Sequence, residues 1–91
     1  MFILFKQGDP MKTYIAVIVI MIKDRKTAHQ LNEILHEYAD YSIGRMGLPY
    51  PKKKVNIISL AIDAPQSIIS TLSEKINTLP GVNVNIALDQ F

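Results

Sequence analysis

The sequence predicts an α+β fold: a ferredoxin-like βαββαβ sandwich, with a four-stranded antiparallel sheet and two helices on one face. Three observations carry this. Apolar residues recur at three- and four-residue intervals in two stretches, from Ala28 to Tyr38 and from Pro65 to Leu79. Ile- and Val-rich runs of strand length occupy residues 13–22, 55–63 and 82–88. A further extended stretch at about residues 41–46 completes the order strand, helix, strand, strand, helix, strand, with two right-handed crossovers.

The first strand is apolar on both parities. One row is Ile15, Val17, Val19 and Met21; the other is Tyr14, Ala16, Ile18, Ile20 and Ile22. Such a strand must be covered on both sides. Asp24 can cap the helix that follows, over about residues 25–39, whose stripe is Ala28, Leu31, Leu35 and Tyr38. In the third strand Ile58, Leu60 and Ile62 form the stronger apolar row. Pro65 suits the first turn of the second helix, and Pro80-Gly81 stops it. Val82, Val84, Ile86 and Leu88 then alternate with Asn83, Asn85, Ala87 and Asp89, the pattern of a strand wet on one side.

Both helices of this topology lie on one face of the sheet, so the other face is bare. A central strand that offers it large apolar side chains predicts burial against another copy, as a homodimer or homotetramer. The expected oligomer face is the row Tyr14, Ala16, Ile18 and Ile20. A chain of 91 residues is also near the size at which a single core needs support from partners.

Residues 11–91 read as a single domain. Residues 1–10 end in a turn signal before a second methionine, and read as an N-terminal extension: an upstream start, an expression-vector remnant or a short added strand. The apolar run after Lys12 imitates a signal peptide. However, residues 23–26 are charged where a cleavage site would lie, and the run is too short to span a bilayer. Cysteine is absent, which excludes disulfides, Cys-ligated metal and a catalytic thiol, and fits a reducing, cytoplasmic setting. Ten basic against eight acidic residues give a net charge of +2, so nucleic acid is not demanded as a partner. No nucleophile and base assemble into a catalytic set; the protein reads as a non-enzyme, with no cofactor specified.

Core building leaves the stretch from Tyr41 to Lys54 unexplained. It is expected to finish one strand, form an extended loop and start the next. Gly44, Arg45, Met46, Gly47, Leu48, Pro49 and Tyr50 are its candidate ligand- or partner-binding residues: glycines permit close approach, and Arg45 offers a fork for carboxylate or phosphate. The plain alternative is a bulged edge strand with a solvated arginine. Lys52, Lys53 and Lys54 could grip an anion or nucleic-acid phosphates, or be a solvated loop tip that guards an edge. His29, Glu33, His36 and Asp40 are spaced four, three and four apart, on the helix face opposite the apolar stripe, and are the candidate metal ligands for zinc or nickel. Routine helix-surface pairs are the plain reading.

The residues Leu35-His-Glu-Tyr38, Ile43-Gly-Arg-Met-Gly-Leu-Pro-Tyr50, Ile57-Ile-Ser-Leu60 and Leu79-Pro-Gly-Val82 together resemble the iron-only hydrogenase system regulator family. The resemblance spans nearly all of residues 11–91. It implies an ACT-like fold, similar also to the ligand-binding domain of nickel-responsive repressors, and a role in transcriptional or system regulation without a DNA-binding domain of its own. ACT domains often hold small effectors at the turn after the first strand, here residues 23–26, but this turn has Arg-Lys-Thr where they usually have Pro-Gly. The function that follows is a small oligomeric regulatory or ligand-sensing domain, with a small-molecule effector or a regulatory protein as partner and no membrane. An interaction adaptor without ligand is the alternative; weak nucleic-acid binding through the basic loop is the third.

Overall fold

The computed structural model describes residues 12–89; the extension expected at residues 1–10 lies outside them. Strand β1 (Tyr14–Ile22) leads to helix α1 (Arg25–Glu37), a 3-10 turn (Ala39–Tyr41) and β2 (Ser42–Tyr50). A second 3-10 turn (Pro51–Lys53) connects to β3 (Val55–Ala64), followed by α2 (Gln66–Asn77) and β4 (Val82–Leu88). The sheet order is β2-β3-β1-β4 and every pairing is antiparallel. The expected α+β ferredoxin-like architecture is therefore present, with β1 and β3 at the centre.

Pairing register assigns each strand's faces. Ala16, Ile18 and Ile20 stand opposite Ile62, Leu60 and Ile58 on one side and opposite Leu88, Ile86 and Val84 on the other. Directly paired residues project to the same side of a sheet, so these rows form one apolar layer. Helix residues Leu31, Leu35, Ile69, Leu72 and Ile76 close over it, and Ala16, Ile18, Ile20 and Ile22 have no exposed surface. This corrects the expected oligomer face. Ala16, Ile18 and Ile20 are the floor of the core, and Tyr14 packs partly buried against the same cluster. The bare face carries the other parity: Ile15, Val17, Val19 and Met21.

Local chemistry sets the helix ends. Asp24, extended at φ −98° and ψ 127°, accepts from the Lys26 amide (3.3 Å) and the Thr27 hydroxyl (3.0 Å). The second bond satisfies Thr27, the buried polar residue of α1. The helix stripe is Thr27, Leu31, Leu35 and Tyr38, with Ala28 at its margin. At the other end of α2, Gly81 takes the left-handed conformation (φ 71°) that glycine adopts without penalty, and turns the chain into β4.

The largest departure from expectation is β2. The stretch from Gly47 to Tyr50 is strand, not loop, pairing as Gly47 with Ile58, Leu48 with Ile57, Pro49 with Asn56 and Tyr50 with Val55. Pro49 is tolerated because β2 is an edge, where an amide facing away from the sheet has no partner to lose. A bulge lies between Ser42 and Gly44: Ser42 opposes Ile62 while Gly44 opposes Ala61, leaving Ile43 as the extra residue.

Candidate functional site

The alternation of β2 divides the Gly44 to Tyr50 segment between two faces. Gly44, Met46, Leu48 and Tyr50 oppose Ala61, Ser59, Ile57 and Val55, and so share the bare face with Val17, Val19 and Met21 of β1. Arg45, Gly47 and Pro49 belong to the helix side. There the Arg45 Nη2 donates to Oδ1 of Asn32 on α1. The seven residues are contiguous, yet they do not form one surface.

The bare face is apolar over three strands. One cross-strand row is Leu48, Ile57 and Met21; the next is Met46, Ser59 and Val19. Met46 is 57% exposed and Leu48 52%. Three strands spaced about 4.8 Å apart and about 30 Å long make a strip of roughly 400 Å², within the size range of the largest apolar patch on a typical monomer, which is often functional. Gly44 lies inside it. Among the described residues a Cβ there would meet nothing within 4 Å, and its φ is not positive, so none of them requires glycine at that position.

A second feature gathers at the end of the sheet where β1 finishes and β3 begins. A groove of about 430 Å³ is lined by Lys23 and Arg25 from the β1–α1 turn, by Tyr50 with its flanking prolines, and by Lys54, Val55 and Asn56. The antiparallel pairing of Ile22 with Asn56 brings these two turns together. Lys54 adopts φ 53° and ψ 44°, held by its amide donating to the Pro51 carbonyl at 3.1 Å. That left-handed conformation costs a side-chain-bearing residue roughly 1 kcal/mol or more. Among the described residues no ion pair reaches Lys23, Arg25, Lys52, Lys53 or Lys54. Sequence reasoning weighed the two basic turns separately; the strand pairing is the signal that would have joined them. A further groove of about 570 Å³ between α2 and β4 carries Gln66, Ser70, Ser73 and Glu74 and, among the described residues, no cation.

The expected metal ligands do not converge. His29 Nε2 and Glu33 Oε2 lie 3.8 Å apart on the exposed face of α1, but the helix ends at Glu37 and Asp40 falls in the 3-10 turn. The helical spacing that would align Asp40 with His36 is broken at Tyr38. Among the described residues no group of three or more His, Cys, Asp or Glu could hold a metal ion. His29, Glu33, His36 and Asp40 are thus corrected to helix-surface and turn residues. Among the described residues, too, no helix is long and apolar enough to cross a membrane.

Comparison with known proteins agrees with this architecture. The sequence model of the TM1266-like family, described as "Iron-only hydrogenase system regulator, putative", matches residues 14–86. The solved structure of the uncharacterized protein TM1266 from Thermotoga maritima superposes with a TM-score of 0.83 at 25% identity, covering 87% of this chain and 100% of that one. A formyltetrahydrofolate deformylase from Pseudomonas putida KT2440 superposes at 0.59 with 10% identity over 80% of this chain. This chain spans only 28% of the deformylase, so that likeness concerns the fold alone. No curated protein matches.

Proposed function

Because the chain belongs to the TM1266-like family of iron-only hydrogenase system regulators, we propose that it is a small, non-catalytic regulatory module that assembles with copies of itself through the bare sheet face. The observation that carries this is the apolar strip of Val17, Val19 and Met21 with Ile57, Met46 and Leu48. Covering it with a second copy removes apolar surface at about 25 cal/mol per Å², and two-fold symmetry makes one strip complementary to itself. Binding of an effector near the strip would act by favouring one assembled state over another, and so change affinity for a regulated partner.

The test is native mass spectrometry of the protein, of Val19→Asp and of Met46→Asp. Both substitutions place a charge on the bare face; Met46 lies on the edge strand, where it leaves the core undisturbed. The reading expects an oligomer for the parent chain and folded monomers for both variants. A parent chain that is monomeric at micromolar concentration refutes self-association and leaves an adaptor that offers the same strip to a different protein.

A further inference from the structure

We propose that the groove between the β1–α1 turn and the β2–β3 hairpin binds a phosphate ester carrying a flat apolar group, of which a nucleotide is the simplest example. This deepens the sensing half of the proposed function by naming its ligand class, and does not depend on self-association.

Charge is the first argument. Lys23 and Arg25 from one turn and Lys54 from another line the groove, and among the described residues no acidic side chain lines it. The nearest carboxylate in sequence, Asp24, is turned into the start of α1, where its two oxygens accept from the Lys26 amide and the Thr27 hydroxyl. Lys26, Lys52 and Lys53 stand beside the lining residues, so six of the chain's ten basic residues cluster at one end of a molecule whose net charge is only +2. Like charges gathered in this way repel one another, and a polyanion relieves the repulsion. Phosphate suits the set better than carboxylate because one arginine fork and several ammonium groups can share its oxygens.

Shape is the second argument. The volume falls in the range of small-molecule sites. Its wall is not only cationic: Tyr50, Val55 and the prolines on either side of Tyr50 supply apolar surface on which a planar group can stack. The left-handed backbone at Lys54 is the third argument. Glycine or asparagine would fit that conformation with less strain, yet the residue is a lysine, and it faces the groove.

The experiment is titration of the ¹⁵N-labelled protein with ATP, with inorganic phosphate and with a twelve-residue oligothymidylate. Amide shifts are followed by NMR, and the oligomer is weighed in the same samples. ATP should saturate, with shifts concentrated in residues 23–26 and 50–56, and should bind more tightly than inorganic phosphate. Lys54→Gly keeps the turn and removes one cation, so it should fold at least as well as the parent and bind ATP about tenfold more weakly. Lys75→Gln, the same loss of charge on α2, should leave ATP binding unchanged. Saturation by oligothymidylate at lower concentration than ATP, at the same amides, would support the site and assign its phosphate to a nucleic-acid backbone. Absence of shifts in both turns at millimolar ATP, or equal losses from Lys54→Gly and Lys75→Gln, would overturn the proposal. Localised ATP binding that leaves the mass distribution unmoved would uphold the site and refute effector-driven assembly.

Discussion

Arg45 on the edge strand donates from Nη2 to Oδ1 of Asn32 on α1, a hydrogen bond of 2.5 Å between residues thirteen apart in the sequence. The bond lies on the helix side of β2, among exposed side chains. Among the described residues, the only sheet partner of this strand is β3.

Removing this tie should loosen β2 without unfolding the domain. Arg45→Ala is expected to cost about 1 kcal/mol or less in global stability, since the pair is solvated. Hydrogen exchange should speed up for amides of β2 while those of β1 keep their protection. Equal acceleration in both strands would show that β2 does not open on its own.

The two glycines of β2 make a paired test of where a partner approaches. Neither has a positive φ, and a Cβ on either would meet nothing within 4 Å. Gly44→Ala and Gly47→Ala should therefore leave the isolated protomer unchanged or stabilise it by about 0.4–1 kcal/mol. Their effects on assembly should differ. Gly44 opposes Ala61 on the bare face and Gly47 opposes Ile58 on the helix side, so only Gly44→Ala should weaken the oligomer, measured by dilution in analytical ultracentrifugation.

Adjacent residues of β1 should respond very unequally to truncation. Ile20 is wholly buried, and Ile20→Ala should cost about 2–5 kcal/mol in denaturant unfolding. Met21 is 38% exposed on the other parity, and Met21→Ala should change the stability of the isolated protomer by about 0.5 kcal/mol or less.

Lys75 links the helices. Its Nζ donates to Glu37 at 3.2 Å and stands 5.4 Å from the centre of the Tyr38 ring. The Glu37 hydrogen bond, followed by Tyr38, raises the Lys75 pKa above its ordinary 10.5. A raised lysine pKa stabilises the fold at pH values below the ordinary one and is lost as pH climbs past the folded value. Lys75→Gln should therefore lower the melting temperature slightly at pH 7, and the gap should close well above pH 10.5. A gap that persists there would mean packing over Tyr38, not charge, carries the effect.

Much of the fold was legible because each element repeats its own period. The α2 stripe of Ile69, Leu72 and Ile76 and the alternation of β4 could be read directly. The parity of β1 could not, since both of its rows are apolar and either would make a core. The resolving information lay in a neighbour: the strong row of β3, Ile58, Leu60 and Ile62, pairs with Ile20, Ile18 and Ala16. Strand β2 was obscured by its glycines and Pro49, residues that depress strand propensity but are permitted at an edge. Of the candidate sites, Met46, Leu48 and Tyr50 share an accessible face, whereas the metal set failed because the helix stops before Asp40. The basic groove is a property of chain crossing, invisible in either turn alone.

The bulge at Ile43 has a mechanical meaning. Strand β2 is held at both ends, by the short hairpin into β3 and by the 3-10 turn leaving α1, and these two anchors are out of step by one residue. Ile43 takes up the difference like a link in an adjustable strap. A residue gained or lost between Tyr41 and Ile43 would be absorbed there, and Met46 and Leu48 would keep their outward aim. The same change between Gly47 and Lys54 has no slack to draw on, and would turn the strand inside out.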